Sequence, residues 1–482
     1  MINYLYILPE IILTTFISLI IIIDLFLSPR LKYISYYLIQ LLLFSLIYLI
    51  YSDIIFLSSN TSALYDTNIF SNFFKIFILI SLVIIFQYTY QFLKNFNLYK
   101  TEYFIISIFG TLGMMIMISA NHLLLLYLGI ELLSLSLYSV IAFNKKSIYS
   151  SEAAVKYYIL GAMSSGFLLF GISLIYGLTG SLFYGEIYQQ ISSLNLSDID
   201  EDIRVIGLVF SLTFIFISLA FKFGAAPFHM WIPDVYHGSL ITTTLLLSTV
   251  PKIAVFIILV KLLGLVFSDL VIFWSDILQI LAILSIIIGN VTAIAQTNIK
   301  RMLAYSTIAN IGFILLALSI GSINSFIAAM FYTLTYVITT VLAFGLLSQL
   351  LSDDKGIDEI NDLSGLAKYN PLTAFMLLVI MLSYVGIPPF LGFHAKLLVI
   401  QSLVQANDIA LSIFAVVMTV IGSYYYLRVV KVIYFDNYID SISFSSNHFF
   451  SVVLVIFLIY LGLFPSLINE ISTLGITNLF NT

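Results

Sequence analysis

The chain has 482 residues, of which 61% are hydrophobic and 9% are charged. A soluble domain is about 45–50% apolar and about 25% charged, so this composition excludes an ordinary soluble protein. The formal net charge of −5 does not suggest nucleic-acid binding. The absence of cysteine excludes disulfides, iron–sulfur clusters and thiolate zinc sites within the chain.

Long apolar stretches recur along the whole sequence, and each is long enough to cross a bilayer as a helix. They are continuous rather than alternating, which favours helices over β-strands. We predict an all-α polytopic membrane protein with about fourteen spans. The first span lacks a charged leader and a cleavage site, so we expect it to be retained. The approximate limits in chain order are 5–27, 33–52, 69–93, 103–120, 121–143, 154–178, 203–232, 238–264, 270–295, 302–320, 323–350, 371–402, 407–435 and 450–470.

The basic residues predict the orientation of these spans. Ten of them lie in connections that follow odd-numbered spans, and two more lie toward the same side at the end of the thirteenth span, whereas only Arg204, beside the acidic run 198–202, lies in the opposite connections. The positive-inside rule then places both termini outside. The twelve are Arg30, Lys32, Lys94, Lys100, Lys145, Lys146, Lys300, Arg301, Lys355, Lys368, Arg428 and Lys431.

Of the charged residues inside the predicted spans, four are the hardest to explain by a position near a span end, namely Glu131, Lys222, Lys252 and Lys396. A charge at the centre of a membrane helix costs on the order of 2.5–3.5 kcal/mol, so these groups should face the protein interior. Such groups usually mark an ion or proton path, and a structural ion pair between helices is the alternative. Three further lysines lie near span ends, where we expect them to extend to the headgroups: Lys75, Lys156 and Lys261.

Buried lysines suit proton transfer because burial disfavours an ammonium and a nearby carboxylate favours it. An acid that approaches or withdraws can therefore load and unload a lysine, and Glu131 with Lys222 is the natural pair. Lys252 is central in the eighth span. It could pass protons between Lys222 and Lys396, with the hydroxyl-rich stretch 239–249 nearby to hold water.

Glycines and prolines interrupt two spans beside these lysines. The stretch "FKFGAAPFHMWIPDV" breaks the seventh span just after Lys222, and "SYVGIPPFLGFHAKLLVI" breaks the twelfth just before Lys396. Broken helices are tolerated at membrane depth where they line a wet cavity. Pro227 and Pro388 are 161 residues and five spans apart, so the two spans run in opposite directions, as an inverted repeat requires. His229 follows the first break, where it can titrate near neutral pH or serve as a hydrogen-bonded interior group.

Five segments together resemble one known family. It is the antiporter-like, proton-translocating family of NADH–quinone oxidoreductase, and in particular its subunit N branch, whose mitochondrial counterpart is subunit 2 of respiratory complex I. The resemblance covers roughly residues 101–435, and Lys396 and the chain length favour that branch over its sister subunits. The segments are "SSEAAVKYYILGAMSSGFLLFGISLIYGLTG", "FKFGAAPFHMWIPDVY", "QTNIKRMLAYSTIANIGF", "GIPPFLGFHAKL" and "YYYLRVVKVIYF".

The resemblance implies a membrane-arm module that binds no cofactor itself and moves protons with energy from quinone reduction elsewhere. NAD, FMN, iron–sulfur clusters and quinone are then expected in partner subunits, which include sister antiporter-like subunits. It implies the bacterial inner membrane with periplasmic termini, and the mitochondrial inner membrane is the alternative. The expected segments are an N-terminal three-helix segment (1–102), two antiporter-like halves (103–264 and 265–435) and a C-terminal helix (436–482).

The resemblance also assigns roles to residues. Glu131 and Lys222 match the family's acid–lysine pair, Lys252 its central lysine and Lys396 its exit-side residue. His229 matches a histidine on the broken seventh helix, and Lys156 matches a lysine on the sixth span.

Two positions depart from the family pattern. His237 replaces an acid or amide after "PDVY" and adds a titrating group. Asn310 stands where a histidine is common, and an asparagine can hold water but cannot carry a proton.

Two other functions fit the same features. A subunit of a multi-subunit sodium/proton antiporter would share the ancestry and would exchange sodium without a redox partner. A membrane scaffold would use its buried charges only to hold helices together, so that Lys222→Met would disturb assembly but not proton transfer. No Walker loop, dinucleotide-type GxGxxG or HExxH motif is present in the sequence.

Overall fold

The structure is a computed structural model that describes residues 7–28, 30–56, 60–61, 64–194, 203–352, 355–356, 358–437, 442–444 and 449–480. The acidic run 198–202 lies outside the described residues. The helices are α1 (Leu8–Phe26), α2 (Tyr33–Phe56), α3 (Ile69–Asn95), α4 (Thr101–Ser119), α5 (Leu123–Ile141), α6 (Ile148–Thr179), α7 (Tyr184–Ser192), α8 (Ile203–Phe223), α9 (Trp231–Gly238), α10 (Ile241–Ser248), α11 (Val250–Lys261), α12 (Val271–Ile294), α13 (Ile299–Leu318), α14 (Ile323–Gln349), α15 (Leu366–Tyr369), α16 (Pro371–Val385), α17 (Leu391–Gln405), α18 (Ile409–Phe435), α19 (Phe449–Leu463) and α20 (Ser466–Phe480).

Short strands and turns complete the described chain. A π-helical turn, Leu262–Val266, follows α11, and two 3-10 turns span Ser268–Leu270 and Ile360–Leu363. The strands pair antiparallel in the orders β1–β2 and β4–β3–β5. Their bounds are β1 (Asn60–Thr61), β2 (Asp66–Thr67), β3 (Leu350–Ser352), β4 (Lys355–Gly356) and β5 (Ile442–Phe444).

Among the described residues, twelve helical stretches are long and apolar enough to cross a membrane, one of which, Ile241–Val266, joins α10, α11 and the π-helical turn, and α19 with α20 can form a thirteenth span. The predicted twelfth span appears as α16 and α17 on either side of a break. These features confirm the all-α polytopic class. The span predicted over 450–470 is not a single helix, because the chain bends by 76° between α19 and α20. Pro465 lies at this bend, and proline has no amide proton to continue a helix.

Polar caps start several of the helices. Their side chains accept a hydrogen bond from a backbone N–H in the first turn, where helical amides lack an internal partner. The caps are Asn68 for α3, Ser147 for α6, Asn298 for α13, Ser322 for α14 and Asn370 for α16.

The chain divides into two compact units. Unit 1 comprises Met1–Phe223, Val250–Trp274 and Gly475–Thr482, and unit 2 comprises Gly224–Thr249 and Ser275–Leu474. The chain passes from unit 1 to unit 2 directly after Phe223, where α8 ends at the predicted break. The four segments expected from the resemblance remain a prediction.

Each unit contains a helix pair that depends on a close glycine contact. In unit 1, a Cβ atom on Gly113 of α4 would lie 2.7 Å from the carbonyl oxygen of Gly129 on α5. In unit 2, a Cβ atom on Gly289 of α12 would lie 2.5 Å from the amide nitrogen of Ala309 on α13. Small residues allow membrane helices to approach this closely, which accounts for the tight pairing of each hairpin.

Candidate functional site

The first break ends α8 and leaves its last carbonyl groups without helical partners. A lysine side chain donates hydrogen bonds to them. Gly224 has a φ of 90°, a left-handed conformation that glycine tolerates and that ends the helix after Phe223. The Nζ atom of Lys252 donates to the carbonyl oxygens of Lys222 and Phe223 at 3.2 and 2.7 Å. Because a helix C-terminus carries partial negative charge, these two carbonyls stabilise the ammonium of Lys252, which is only 1% exposed.

Lys222 points toward α5 from the same helix end. Its Nζ atom donates to Ser134 Oγ at 2.6 Å, and the side chain is 8% exposed. Glu131 precedes Ser134 by three residues, so both lie on one face of α5. The charge of Glu131 acts on Lys222, although the two form no ion pair within 4 Å in the described chain. The buried Glu131 Oε1 atom makes no hydrogen bond there.

The second break repeats the arrangement of lysine and helix end. Gly386 has a φ of 84° and ends α16 after Val385. The Nζ atom of Lys396 donates to the carbonyl oxygens of Tyr384 and Val385 at 2.9 and 3.0 Å. No carboxylate lies within 4 Å of Lys396 among the described residues. The ammonium of a half-buried lysine therefore again lies against the carbonyls of a terminated helix.

The two breaks match residue by residue along the chain. Gly224 and Gly386 are 162 positions apart (386 − 224), and the same offset relates Lys222 to Tyr384 and Phe223 to Val385. This agrees with the predicted inverted repeat. It also explains why Lys222 precedes the first break whereas Lys396 follows the second, since the two lysines are not counterparts. By contact, Lys252 is the counterpart of Lys396, and Tyr384 occupies the position of Lys222.

Unit 2 holds a hydrogen-bonded network of uncharged side chains around Lys396. Asn310, at the family's histidine position, accepts from Tyr332 Oη at 2.8 Å and donates to the Ser306 carbonyl at 2.9 Å. Four tyrosines that sequence analysis did not single out belong to this network, and three of them also line the small cavity beside Lys396. They are Tyr332, Tyr336 and Tyr384, which line the cavity, and Tyr426. Hydroxyl groups both donate and accept, so such a network can pass protons except where the Asn310 amide intervenes.

The remaining predicted residues lie in three different settings. His229 is 5% exposed beside the backbone of Pro227, and its Nδ1 atom makes no hydrogen bond to the described residues. His237, at the end of α9, lies near the charges of Lys300 and Arg301. The side chain of Lys156 is 43% exposed and pairs with Glu152 at 2.8 Å. The structure thus brings Glu131, Lys222 and Lys252 together but leaves Lys156 on the surface of α6.

The prediction that Lys75 and Lys261 extend to the headgroups is wrong. Lys75 is 0% exposed and forms an ion pair with Glu10 at 2.7 Å. Lys261 is 3% exposed and donates to the Ile118 carbonyl at 2.6 Å. Sequence reasoning missed these contacts because Glu10 lies 65 residues from Lys75. The available signal was Glu10 itself, an acid inside the first apolar stretch.

Comparisons with known proteins agree with this architecture. The sequence profile described as "NADH:quinone oxidoreductase/Mrp antiporter, TM" matches residues 120–422. NADH-quinone oxidoreductase subunit N of Thioalkalivibrio sulfidiphilus is 43% identical, with 98% of each chain covered. The protein of the same name from Ruthia magnifica is 42% identical, with 95% of each covered.

Solved structures show the same fold. A chain of respiratory complex I from Thermus thermophilus is 29% identical with a TM-score of 0.79, and 96% of this chain and 98% of that chain are covered. A chain of the Mrp complex from Dietzia is 20% identical with a TM-score of 0.82 over 99% and 97% of the two chains, which shows likeness of fold alone. The matched profile, the full-length relatives and the repeated helix breaks lead to one conclusion: the chain belongs to the NADH:quinone oxidoreductase/Mrp antiporter transmembrane family.

Proposed function

We propose that the chain is a proton-translocating membrane-arm subunit of respiratory NADH–quinone oxidoreductase. The observation that carries this proposal is a pair of lysines, the buried Lys252 and the half-buried Lys396, each held by two carbonyls at a broken helix end. The relatives named subunit N at 42–43% identity support the choice of complex, because they match this chain over nearly its full length.

The lysine sites are suited to a change of protonation. Burial penalises an ammonium, whereas the partial negative charge at a helix end favours it. Because these effects oppose each other, a modest change in a neighbouring charge can decide whether Lys252 keeps its proton. We infer that Lys222 is that neighbour in unit 1 and that Glu131 controls Lys222 through the face of α5 that also carries Ser134.

We infer that unit 2 carries out the corresponding change of protonation at Lys396, with fewer charged side chains nearby than unit 1 has. Lys396 would exchange its proton with water in the cavity lined by Tyr332, Tyr336 and Tyr384. No carboxylate of the described residues lies within 4 Å of Lys396, so we infer that hydroxyl groups and water are its immediate proton partners there. Tyr384 replaces the lysine of the first half, so protons would move here along hydroxyls and water. His229, His237 and Lys156 are secondary candidates for uptake steps.

We propose that the energy and the cofactors reside in partner subunits. NAD, FMN, iron–sulfur clusters and quinone belong to those subunits, and sister antiporter-like subunits adjoin this chain in the bilayer. The distribution of basic residues supports both termini on the periplasmic side of a bacterial inner membrane.

A sodium/proton antiporter subunit is the second candidate, because the Mrp structure shares the fold. The test is to reconstitute the complex that contains this chain and to follow NADH-driven proton movement with and without sodium. We expect proton translocation that requires NADH and quinone and is unchanged when sodium is removed. Sodium-dependent exchange that continues without NADH would refute the proposal.

A further inference from the structure

A second group of ionisable side chains lies buried in unit 1, away from both helix breaks. Glu10 of α1 is 4% exposed and Lys75 of α3 is 0% exposed. The Lys75 Nζ atom lies 2.7 Å from Glu10 Oε1 and 3.4 Å from Tyr65 Oη. Tyr65 in turn donates its hydroxyl proton to the same carboxylate. The three groups form a closed triangle of donors and acceptors.

A second ion pair adjoins this triangle. Lys261 of α11 lies 3.9 Å from Asp66 Oδ2, and its charge also acts on Lys75. Asp53 of α2 interacts electrostatically with both Lys75 and Glu10. We call these residues the end cluster; the ionisable groups that the described elements bring to it are Glu10, Asp53, Tyr65, Asp66, Lys75 and Lys261.

Stability alone does not account for the end cluster. A buried ion pair often stabilises a protein less than apolar side chains of similar size, because both ions lose their water. Two carboxylate oxygens of the cluster, Glu10 Oε2 and Asp66 Oδ1, are buried without a hydrogen-bond partner among the described residues. A carboxylate oxygen that accepts no hydrogen bond can take up a proton without the loss of an existing hydrogen bond.

The end cluster is also well placed to release protons. It lies where α1 and α3 begin and where α4 and α11 end, which the basic residues predict to be the outer face. Asp66 is 16% exposed and Asp53 is half-buried, so both connect the cluster to the surface.

Helix α11 joins the end cluster to the first lysine site. Lys252 and Lys261 are nine residues apart on it, which is about 14 Å of helix rise. They point to opposite faces, and the residues between them are apolar. Two charges at that separation still change each other's proton affinity severalfold, since an effective dielectric constant of about 20 applies to such pairs. The coupling therefore needs no continuous proton wire.

We propose that the end cluster is a proton-release site, which exchanges protons with the compartment outside the membrane and responds to the charge of Lys252. This inference rests on the proposed function and assigns a role to the N-terminal three-helix segment. Tyr65 passes its hydroxyl proton to Glu10 as it accepts one from Lys75, so that one N–H bond breaks and one O–H bond forms on the carboxylate. Glu10 then loses this proton to outside water through Asp66 or Asp53. When Lys252 loses its charge, a proton from the same water returns by the reverse route through Glu10 and Tyr65 to Lys75, so that the cluster alternates between one proton more and one proton fewer.

Two substitutions test the end cluster. The double variant Glu10→Gln/Lys75→Met removes both buried charges at once, so that no unpaired ion remains. Tyr65→Phe removes only the bridging hydroxyl and serves if the double variant fails to assemble. Lys431→Met is the control, because Lys431 is 65% exposed in its ion pair with Asp436 and lies far along the chain from the cluster.

The measurement is NADH-driven proton translocation by the reconstituted complex, with the pH of the receiving compartment varied and that of the donor compartment fixed. In the wild type and in Lys431→Met, we expect the rate to fall as the receiving side becomes acidic. In the end-cluster variants we expect the midpoint to move by about one pH unit, which is a tenfold change in proton affinity.

Three results would overturn the inference: an unchanged midpoint in the variants, a uniform loss of rate at every pH, or a shift that follows the donor side instead. A Lys222→Met variant distinguishes a failure of the proposed function from a failure of the proposed release site. If Lys222→Met translocates normally, the proposed function fails. If Lys222→Met is blocked while the end-cluster variants behave as wild type, only the release site fails.

Discussion

His237 stands where an acid or amide is usual in the family, and its surroundings affect its protonation. Burial lowers its pKa first, and the positive charges of Lys300 and Arg301 lower it further, while Asp358 and Asp234 act in the opposite direction. The histidine pKa in an unfolded chain is about 6.5. Below that value the unfolded chain binds more protons than the folded one, so acid weakens the fold.

The His237→Gln variant tests this effect. We expect the wild type to lose thermal stability as the pH falls from about 7.5 to about 5.5 through the histidine range, and the variant to lose less. The measurement is the unfolding temperature of the purified protein in detergent across that range. Parallel curves for the two proteins would show that His237 does not titrate in this way.

Residue identity predicted part of the site. Lys222 and Lys252 were recognisable because a lysine inside an apolar stretch has few structural uses, and the structure brings both to the end of α8. The contact of Lys252 with two carbonyls could not be predicted, because backbone acceptors leave no mark in a sequence. Glu10 and Lys75 were missed for a different reason, since only the tertiary fold brings α1 against α3.

At the scale of elements, the break between α16 and α17 depends on an unusually close approach. A Cβ atom on Gly392, near the start of α17, would lie 1.8 Å from the carbonyl oxygen of Ser383. That oxygen belongs to the backbone of α16 and cannot move independently of the helix. Gly392 therefore fixes how closely Lys396 approaches the carbonyls that terminate α16.

Substitution of Gly392 by alanine tests this packing. Overpacking costs about 1–3 kcal/mol, so Gly392→Ala should lower the unfolding temperature and reduce proton translocation through displacement of Lys396. Gly166→Ala is the matched control, because nothing lies within 4 Å of its Cβ position, and its stability should stay equal or rise slightly. Equal stability and activity in the two variants would contradict the role assigned to Gly392.

The existence of the elements was predictable, but some of their ends were not. The lengths of the apolar stretches predicted nearly every span, and Gly224, Pro227 and Pro388 indicated the two breaks. The bend after α19 was missed although Pro465 marks it, because the apolar stretch continues past the proline. The short helix α9 was missed because the chain from Gly224 to Gly238 was divided between two predicted spans.

At the scale of the whole molecule, each compact unit has its own lysine bound to the carbonyls of a terminated helix. Unit 1 combines Lys252 with Lys222, Glu131 and the end cluster, whereas unit 2 combines Lys396 with tyrosines. The two halves of the repeat thus share a backbone arrangement and differ in charge. Composition predicted the membrane class and the two helix breaks predicted the repeat, but the uncharged partners of Lys396 could be identified only in the structure.

The most direct test of the account measures proton translocation and quinone reduction in the same vesicles. The variants are Lys222→Met and Glu131→Gln, with Lys431→Met as the exposed-lysine control. We expect both test variants to assemble, to keep reducing quinone and to move at least several-fold fewer protons per electron, while the control matches the wild type. A wild-type ratio of protons to electrons in both Lys222→Met and Glu131→Gln would contradict the account.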